Sequence, residues 1–188
     1  MTTSVLSKIV FELEQAAGLV EEAELQDFRD AILKASRIFV SGAGRSGFVA
    51  RGFANRLLHT GRTVFYVGEP TTPPIESGDL FIVVSGSGRT SSLLASAQKA
   101  STVGASIATI TIDPNSPIGV LAESVVTLPG TTRQAQDVNS TSDLTSIQPV
   151  GTLFEQLAWL TCDSIIILLR DHTGQTNEDL LARHANME

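Results

Sequence analysis

The strongest constraint on the fold is a strand-like segment that runs directly into a glycine turn, Asp79 to Thr90, with the sequence DLFIVVSGSGRT. Its short apolar run, Leu80 to Val84, is rich in β-branched residues and stops at glycines, which is typical of a buried parallel strand. The glycines let the backbone approach a ligand closely, and free N–H groups follow where a helix begins at Thr90. The segment therefore predicts a phosphate-binding loop between a strand and a helix.

The same arrangement occurs a second time, earlier in the chain. The apolar run Arg37 to Val40 is followed by the sequence SGAGRSG and then by a second helical segment. We call residues 41–47 the first cradle and residues 85–90 the second cradle. In an open parallel sheet, ligands bind where the strand order reverses. If the two strands are neighbours at that point, both cradles face one crevice.

A dinucleotide-binding loop is an alternative interpretation of the first cradle. Gly42, Gly44 and Gly47 have the spacing of that motif, and Glu69 follows the next strand at the place of a ribose-binding acid. The second cradle argues against this alternative, because a dinucleotide would need no phosphate site on the third strand. The glutamate leaves the alternative open.

Strands and helices alternate across the middle of the chain. The predicted strands are 37–40, 63–67, 80–84, 106–112 and 124–128, and the predicted helices between them are 47–60, 90–104 and 117–122. Such alternation implies parallel pairing through right-handed crossovers. The sequence therefore predicts an α/β fold, a three-layer αβα sandwich whose five-stranded parallel sheet has the flavodoxin-like order 2-1-3-4-5.

The remaining segments complete a single predicted domain, residues 1–188. Two amphipathic helices lead the chain (1–36), the parallel core spans 37–128, a polar segment (130–148) is expected to cover an active site, and C-terminal helices occupy 149–188. The helix predicted at 152–169 is apolar nearly all the way round. We expect it to be covered by its own sheet on one side and by another subunit on the other. A last helix is predicted at 177–186.

Composition and charge narrow the class of partner. The net charge is −7 at pH 7, which argues against a nucleic-acid partner, whose phosphates need a basic face. A small anionic metabolite is still allowed, because local amides and a few arginines can hold it. The chain has no signal-peptide pattern at its start and no run of about 18 unbroken apolar residues. We therefore expect a cytoplasmic protein with no membrane partner.

The two cradles also resemble the sugar isomerase (SIS) domain family, whose members bind phosphosugars at such loops. Within that family the whole chain is similar to the 6-phospho-3-hexuloisomerases. The similarity lies in the helix end Arg56-Leu57-Leu58-His59, in Val67-Gly68-Glu69 with the proline loop, and in the terminal sequence RHANME at residues 183–188. Arg89 departs from the family, because many members have a glutamate at this position.

The resemblance implies a reaction. These enzymes interconvert D-arabino-hex-3-ulose 6-phosphate and D-fructose 6-phosphate in the ribulose monophosphate pathway of formaldehyde fixation, without a metal or a cofactor. It also implies a homotetramer and a possible functional coupling to 3-hexulose-6-phosphate synthase. Two alternatives stay open, namely an isomerase of another sugar phosphate of the arabinose 5-phosphate type and a non-catalytic phosphosugar-sensing module.

A 2,3-enediol route needs a base for the carbon-bound proton and an acid for the oxygens. We predict Glu155 as the base, because helical spacing places it on one face with Trp159, Cys162 and Ile166. An apolar environment is expected to desolvate the carboxylate and raise its pKa. The alternative is a structural glutamate that favours the helix N-terminus. Cys162 itself is expected to be a buried, unreactive thiol.

The candidate acids are His59 and His184, which the resemblance supports, with one of them supplied by a neighbouring subunit. The alternatives are a surface residue that caps a helix end for His59 and a partly exposed tail residue for His184. No spacing of His, Asp and Glu resembles a metal site. The predicted substrate-binding residues are Ser41, Gly44, Arg45, Ser46, Asn55, Ser85, Ser87, Arg89 and Thr90. Of these, we expect the second cradle to hold the phosphate and the first to lie near the sugar.

Overall fold

A parallel five-stranded sheet is the centre of the fold, and the structure, a computed structural model of the chain, describes residues 4–131 and 146–186. The strands are β1 (Ile38–Gly42), β2 (Val64–Tyr66), β3 (Leu80–Val84), β4 (Ser106–Thr111) and β5 (Ser124–Thr127). All neighbouring pairs are parallel, and their order is β2-β1-β3-β4-β5. The predicted sheet and its order are confirmed. The strand order reverses between β1 and β3, where both cradles begin.

Helices cover both faces of this sheet. They are α1 (Val5–Ala17), α2 (Glu22–Lys34), α3 (Gly44–His59), α4 (Ser91–Thr102), α5 (Pro117–Leu121), α6 (Thr152–Thr173) and α7 (Asn177–Leu181). Because side chains alternate along a strand, Ile38 and Val40 pack toward α2, α3 and α6, whereas Phe39 packs toward α4 and α5. The two resulting apolar cores are the inner layers of the predicted three-layer sandwich.

The register of β1 and β3 sets the distance between the cradles. Gly42 at the end of β1 is paired with Val84 at the end of β3. The second cradle begins one residue after Val84, and the first cradle includes Gly42 itself. The two loops therefore leave neighbouring strands at the same level, at the carboxyl edge of the sheet.

The start of α3 corrects the predicted boundary. The helix begins at Gly44, three residues earlier than expected, so that Arg45 and Ser46 lie in its first turn. Strand and helix approach each other closely here, because a Cβ atom on Gly42 would lie 2.8 Å from the carbonyl oxygen of Ser46. Strand β1 also runs on to Gly42, two residues further than predicted. The first cradle is therefore tighter than a separate loop would be.

The C-terminal helices also differ from their predicted bounds. Helix α6 continues four residues beyond Leu169 and ends at Thr173, because Gly174 takes the left-handed conformation that stops it. Helix α7 ends at Leu181 instead of residue 186. The polar segment predicted at 130–148 to cover the active site lies, for residues 132–145, outside the described part of the chain.

Helix α6 is long and apolar enough to cross a membrane by length and composition alone. Half of its most apolar window, however, is buried inside the fold, where it packs on α3, α2 and α1. Core helices of soluble proteins have the same character. Its other side exposes about half of Trp159, Leu160 and Ile167. Among residues 4–131 and 146–186, other helices thus cover one side of this helix, and its second side is exposed.

Candidate active site

The first cradle is a partly exposed turn whose backbone contacts the hydroxyl of a tyrosine on β2. Ser41 is buried at the end of β1, whereas Gly44 and Arg45 are exposed. The hydroxyl of Tyr66 lies 3.2 Å from the carbonyl oxygen of Gly42 and 3.4 Å from that of Gly47, and it donates to one of them at a time. This contact ties the end of β2 to the strand–helix junction. The exposed side of the turn is left for a ligand.

The second cradle is more enclosed. Its residues from Ser85 to Gly88 are all buried. The Oγ of Ser85 accepts a hydrogen bond from the backbone N–H of Gly88 at 3.2 Å, and the Oγ of Ser87 accepts from the N–H of Arg89 at 3.2 Å. Gly88 packs so closely on Ser116 that a Cβ atom would lie 1.9 Å from its Oγ. The loop is therefore preorganised, with both serine hydroxyls oriented by the backbone.

The helices that follow the cradles begin without a side-chain cap. Helices α1, α5 and α7 have capping hydrogen bonds from Ser4, Ser116 and Thr176. Helices α2, α3, α4 and α6 have no side-chain cap. Two of these follow the cradles: Ala43 before α3 has no polar side chain, and Thr90 before α4 makes no capping hydrogen bond. Uncapped amides and the helix dipole favour an anion at these positions. The cradles thus have the chemistry that a phosphate group needs.

Glu155 lies in the first turn of α6, next to the first cradle. Its carboxylate accepts a hydrogen bond from the Nε of Arg45 and forms an ion pair with it, and its side chain is 17% exposed. Arg45 itself is largely exposed. The predicted base and a predicted sugar-binding residue are therefore in direct contact, although 110 residues separate them in sequence.

The rest of the predicted apolar face of α6 is partly confirmed. Cys162 and Ile166 are buried, and burial raises the pKa of the Cys162 thiol, as expected for an unreactive cysteine. Trp159 is instead about half exposed, with one edge of its ring against Gly52 of α3. The helix face that carries Glu155 is therefore buried at Cys162 and Ile166 and about half exposed at Trp159.

The two candidate histidines are brought together, but away from the cradles. His59 is buried, which contradicts its interpretation as a surface residue, and its ring stacks on that of the exposed His184 with centroids 5.0 Å apart. The C-terminal segment secures this end of α3, because Arg183 donates to the carbonyl oxygen of His59 at 3.2 Å and Gln175 to that of Thr60 at 3.1 Å. The sequence contains no signal that these two histidines stack.

The length of α3 separates this histidine pair from Glu155. His59 is fourteen positions after Arg45, which corresponds to a rise of about 21 Å along the helix at roughly 1.5 Å per residue. Asn55 is about 15 Å along the same helix from Arg45 by the same measure, and it is exposed. Within one chain, the structure therefore joins Glu155 to the first cradle, which lies beside the second on the neighbouring strand. It does not join either histidine or Asn55 to the cradles.

A carboxylate that was not predicted as a site residue lies beside the second cradle. Asp113 follows β4, is buried, and accepts a hydrogen bond from the guanidinium of Arg89 at 2.8 Å. Its position after a strand next to β3 was the available signal. No group of three or more His, Cys, Asp or Glu side chains within residues 4–131 and 146–186 is placed to hold a metal ion.

Comparison with known proteins identifies the family. The SIS domain family matches residues 31–158, a range that contains both cradles and Glu155. The chain is also 40% identical to the 3-hexulose-6-phosphate isomerase of Bacillus subtilis over 187 residues, covering 100% of this chain and 99% of the relative. The chain belongs to the SIS domain family, among the 3-hexulose-6-phosphate isomerases. The resemblance found from the two cradles and the terminal sequence is confirmed.

Two further members of this family support the assignment. The 3-hexulose-6-phosphate isomerase of Mycobacterium gastri is 41% identical over 186 residues, covering 99% of this chain and 91% of the relative. A Methanococcus jannaschii protein has a crystal structure from which the function of a 3-hexulose-6-phosphate isomerase was inferred. Its sequence is 31% identical to this chain, and the two folds match with a TM-score of 0.78. It covers 98% of this chain and 97% of that chain. The similarity thus includes the leading and C-terminal helices as well as the sheet.

Proposed function

We propose that this protein is a 3-hexulose-6-phosphate isomerase that interconverts D-arabino-hex-3-ulose 6-phosphate and D-fructose 6-phosphate through a 2,3-enediol. The observation that carries the proposal is the position of Glu155. It is paired with Arg45 at the first cradle, and the second cradle starts on the neighbouring strand. A carboxylate beside an anion-binding loop can take a proton from a carbon of a bound sugar phosphate.

The two cradles divide the substrate between them. The second cradle holds the phosphate through its backbone amides and through Ser85, Ser87 and Thr90, because its buried turn leads into an uncapped helix. The first cradle lies near the sugar, with Ser41, Gly44, Arg45 and Ser46 around it. This division gives the phosphate the more rigid loop and the reacting carbons the loop that contacts Glu155.

Glu155 is the base of the reaction. It takes the proton from C2 of the 3-ketose and returns one to C3, while an acid exchanges protons between the two oxygens. The ion pair with Arg45 holds the carboxylate against the cradle. The reaction needs no redox step, since a carbonyl moves from C3 to C2 with no net change in oxidation state, and we propose no cofactor or metal.

The acid is supplied by a second copy of the chain. His59 and His184 form one stacked pair, and the length of α3 puts it about 21 Å from the Glu155 end within a chain. The exposed apolar residues of α1 and α6, among them Phe11 and Trp159, leave a surface for subunit contact. A homotetramer would bring the histidine pair and Asn55 of one copy to the cradles of another.

The cellular setting follows from the reaction. The substrate is a product of aldol addition of formaldehyde to a pentulose phosphate, so the enzyme would work in the ribulose monophosphate pathway in the cytoplasm. A functional coupling to 3-hexulose-6-phosphate synthase would pass this product directly to the isomerase.

Incubation with D-fructose 6-phosphate in deuterium oxide tests the reaction. A 2,3-enediol isomerase should introduce deuterium at C3, as measured by NMR. Deuterium at C1 would instead indicate a 1,2-enediol isomerase of the arabinose 5-phosphate type. No label at either carbon would reject the proposal and would leave a phosphosugar-sensing protein or an isomerase of another sugar phosphate.

A mixing experiment tests the shared site. Glu155→Gln and His59→Gln proteins should each be nearly inactive, and co-expression of the two should restore part of the activity, because some sites then receive an intact residue from each subunit. The same test with His184→Gln identifies which histidine is the acid. A stable monomer of about 20 kDa by light scattering, or co-expression without recovery, would contradict the shared site.

A further inference from the structure

Arg89 is held by the neighbouring loop. Its guanidinium Nη2 donates to the Oδ2 of Asp113 at 2.8 Å. Asp113 has a side chain that is only 8% exposed, whereas that of Arg89 is 38% exposed. The pair therefore bridges the second cradle and the loop after β4.

Asp113 is fixed in place by its other contacts. Its Oδ1 accepts from the N–H of Asn115 at 3.0 Å. Its own N–H donates to the Oγ1 of Thr111 at 3.3 Å, and this hydroxyl donates to the carbonyl oxygen of Gly86 at 3.3 Å. The N–H of Ile118 also donates to the carbonyl oxygen of Gly88 at 3.2 Å. The Asp113 carboxylate thus lies in the loop after β4, and the residues around this loop are hydrogen-bonded to the second cradle at several points.

A fixed carboxylate at this position is a problem for an anion-binding loop. Two negative charges a few ångströms apart repel each other strongly where water is partly excluded. A buried carboxylate is also unfavourable unless it is paired. Arg89 reduces both the repulsion of a bound anion and the cost of burying the carboxylate, because it pairs with Asp113 through a charge-assisted hydrogen bond.

We propose that Arg89 is a positioning residue of the second cradle: it neutralises Asp113 and in this way sets the affinity for the phosphate group, without binding that group directly. The inference rests on the proposed phosphate site in the second cradle. It makes Asp113, a residue outside both cradles, a determinant of substrate affinity.

A double-mutant cycle separates this role from direct contact. The readouts are the dissociation constant of inorganic phosphate by calorimetry and the KM for fructose 6-phosphate. We expect Arg89→Ala to weaken both by about tenfold, because the carboxylate is then uncompensated. Asp113→Asn alone should change them by less than about threefold, and the double variant should return to within about threefold of the wild type. A loss that persists in the Asp113→Asn background would show that Arg89 contacts phosphate directly and would overturn the proposal.

Controls keep the outcome interpretable. Arg170→Ala makes the same change in net charge in an exposed pair with Asp171 at the far end of α6, and it should leave phosphate affinity unchanged. If Arg89→Ala does not fold, as judged by thermal unfolding, Arg89→Gln replaces it in the cycle. An Arg89 variant that folds and binds phosphate like the wild type would also overturn the proposal.

The proposed function can fail separately. A wild-type protein that binds phosphate but puts no deuterium into fructose 6-phosphate would reject the isomerase, while the cycle on phosphate affinity would still give its answer. A wild-type protein that binds no phosphate would reject this inference together with the phosphate assignment.

Discussion

The two cradles begin with the same five-residue pattern, Ser-Gly-x-Gly-Arg, but they have different surroundings. In both, the second glycine has a φ of +57°, and in both the arginine pairs with a carboxylate. The first cradle is exposed at Gly44 and Arg45 and contacts α6, whereas the second is buried from Ser85 to Gly88. A shared local sequence therefore produces a shared backbone, and the neighbouring elements decide what each loop can do.

Position in the sheet explains the difference. Strand β3 lies between β1 and β4, so the loop after β4 covers the second cradle and supplies Asp113 and Ser116. Strand β1 has β2 on its other side, and the last residue of β2, Tyr66, contacts the first cradle through its hydroxyl. The covered loop suits a fixed group such as phosphate. The open loop suits the part of the substrate that reacts.

The largest expected effect belongs to the first cradle. Glu155→Gln should lower kcat by roughly two to four orders of magnitude and leave KM and assembly nearly unchanged, because the amide keeps the size of the side chain but cannot accept a proton. Steady-state kinetics with fructose 6-phosphate measures both constants.

A glutamate elsewhere provides the control for this variant. Glu76 is exposed and pairs with Arg37 at the opposite edge of the sheet. Glu76→Gln makes the same chemical change and should leave kcat within about twofold, as a surface substitution does. A Glu155→Gln protein that keeps more than about a tenth of the wild-type kcat would remove Glu155 from the role of base. His59 would then be tested for that role.

The next prediction compares the two glycines that share a φ of +57°. A Cβ atom on Gly44 would meet no heavy atom within 4 Å, whereas one on Gly88 would lie 1.9 Å from the Oγ of Ser116. Gly44→Ala should therefore cost about 1 kcal/mol of stability for its backbone conformation. Gly88→Ala should cost about 3 kcal/mol or more, because overpacking is added to that strain.

Urea unfolding of both alanine variants measures these costs. The difference between them isolates the effect of the surroundings, since the residue change and the backbone angle are the same. Equal losses of stability would mean that the enclosure of the second cradle by Ser116 is not rigid.

A smaller effect is expected from the hydroxyls of the second cradle. Ser87→Ala with Thr90→Ala should raise KM, and the inhibition constant of inorganic phosphate, by about tenfold with kcat little changed, because hydrogen bonds to a charged group contribute roughly 1.5–3 kcal/mol. Ser46→Ala, the matched change in the first cradle, should leave the phosphate constant unchanged. An unaltered KM in the Ser87/Thr90 double variant would show that the phosphate lies elsewhere.

Much of this architecture was predictable because its determinants are local in sequence. The strand β3 has its predicted ends, Leu80 and Val84, since an apolar run and a glycine turn define them without any other part of the chain. The sheet order followed from the alternation of strands and helices and from the handedness of crossovers. Two glycine-rich turns then had to meet at one edge.

The pairings within the site were not predictable in the same way. Arg45 reaches Glu155 across 110 residues, and Asp113 reaches Arg89 from another loop. His59 is buried because the C-terminal segment folds back over the end of α3. No local pattern encodes such contacts, since they depend on how helices pack after the sheet has formed. The positions of the loops and the types of residue in them could therefore be predicted from the sequence. Which side chains pair depends on the packing of the helices and loops.

The smallest expected effects come from two side-chain hydroxyls that donate hydrogen bonds to backbone carbonyl oxygens of the cradles. The Tyr66 hydroxyl contacts the carbonyl oxygens of Gly42 and Gly47 in the first cradle, and the Thr111 hydroxyl donates to that of Gly86 in the second. Tyr66→Phe and Thr111→Val each remove one hydroxyl with little change in shape. Tyr66→Phe should cost about 1 kcal/mol of stability, the usual contribution of one internal hydrogen bond. Thr111→Val should cost about twice that, because the Thr111 hydroxyl also accepts from the N–H of Asp113.

Their effects on function should differ, and this difference is the last test of the division between the cradles. Tyr66→Phe loosens the loop that contacts Glu155, so it should lower kcat a few-fold and leave the inhibition constant of phosphate unchanged. Thr111→Val removes the hydroxyl that links the N–H of Asp113 to the second cradle. It should therefore raise the inhibition constant of phosphate a few-fold and leave kcat nearly unchanged. Both constants come from one set of inhibition assays at fixed temperature. If both variants changed the same constant, the cradles would act as one unit, and the assignment of chemistry to the first and phosphate to the second would be wrong.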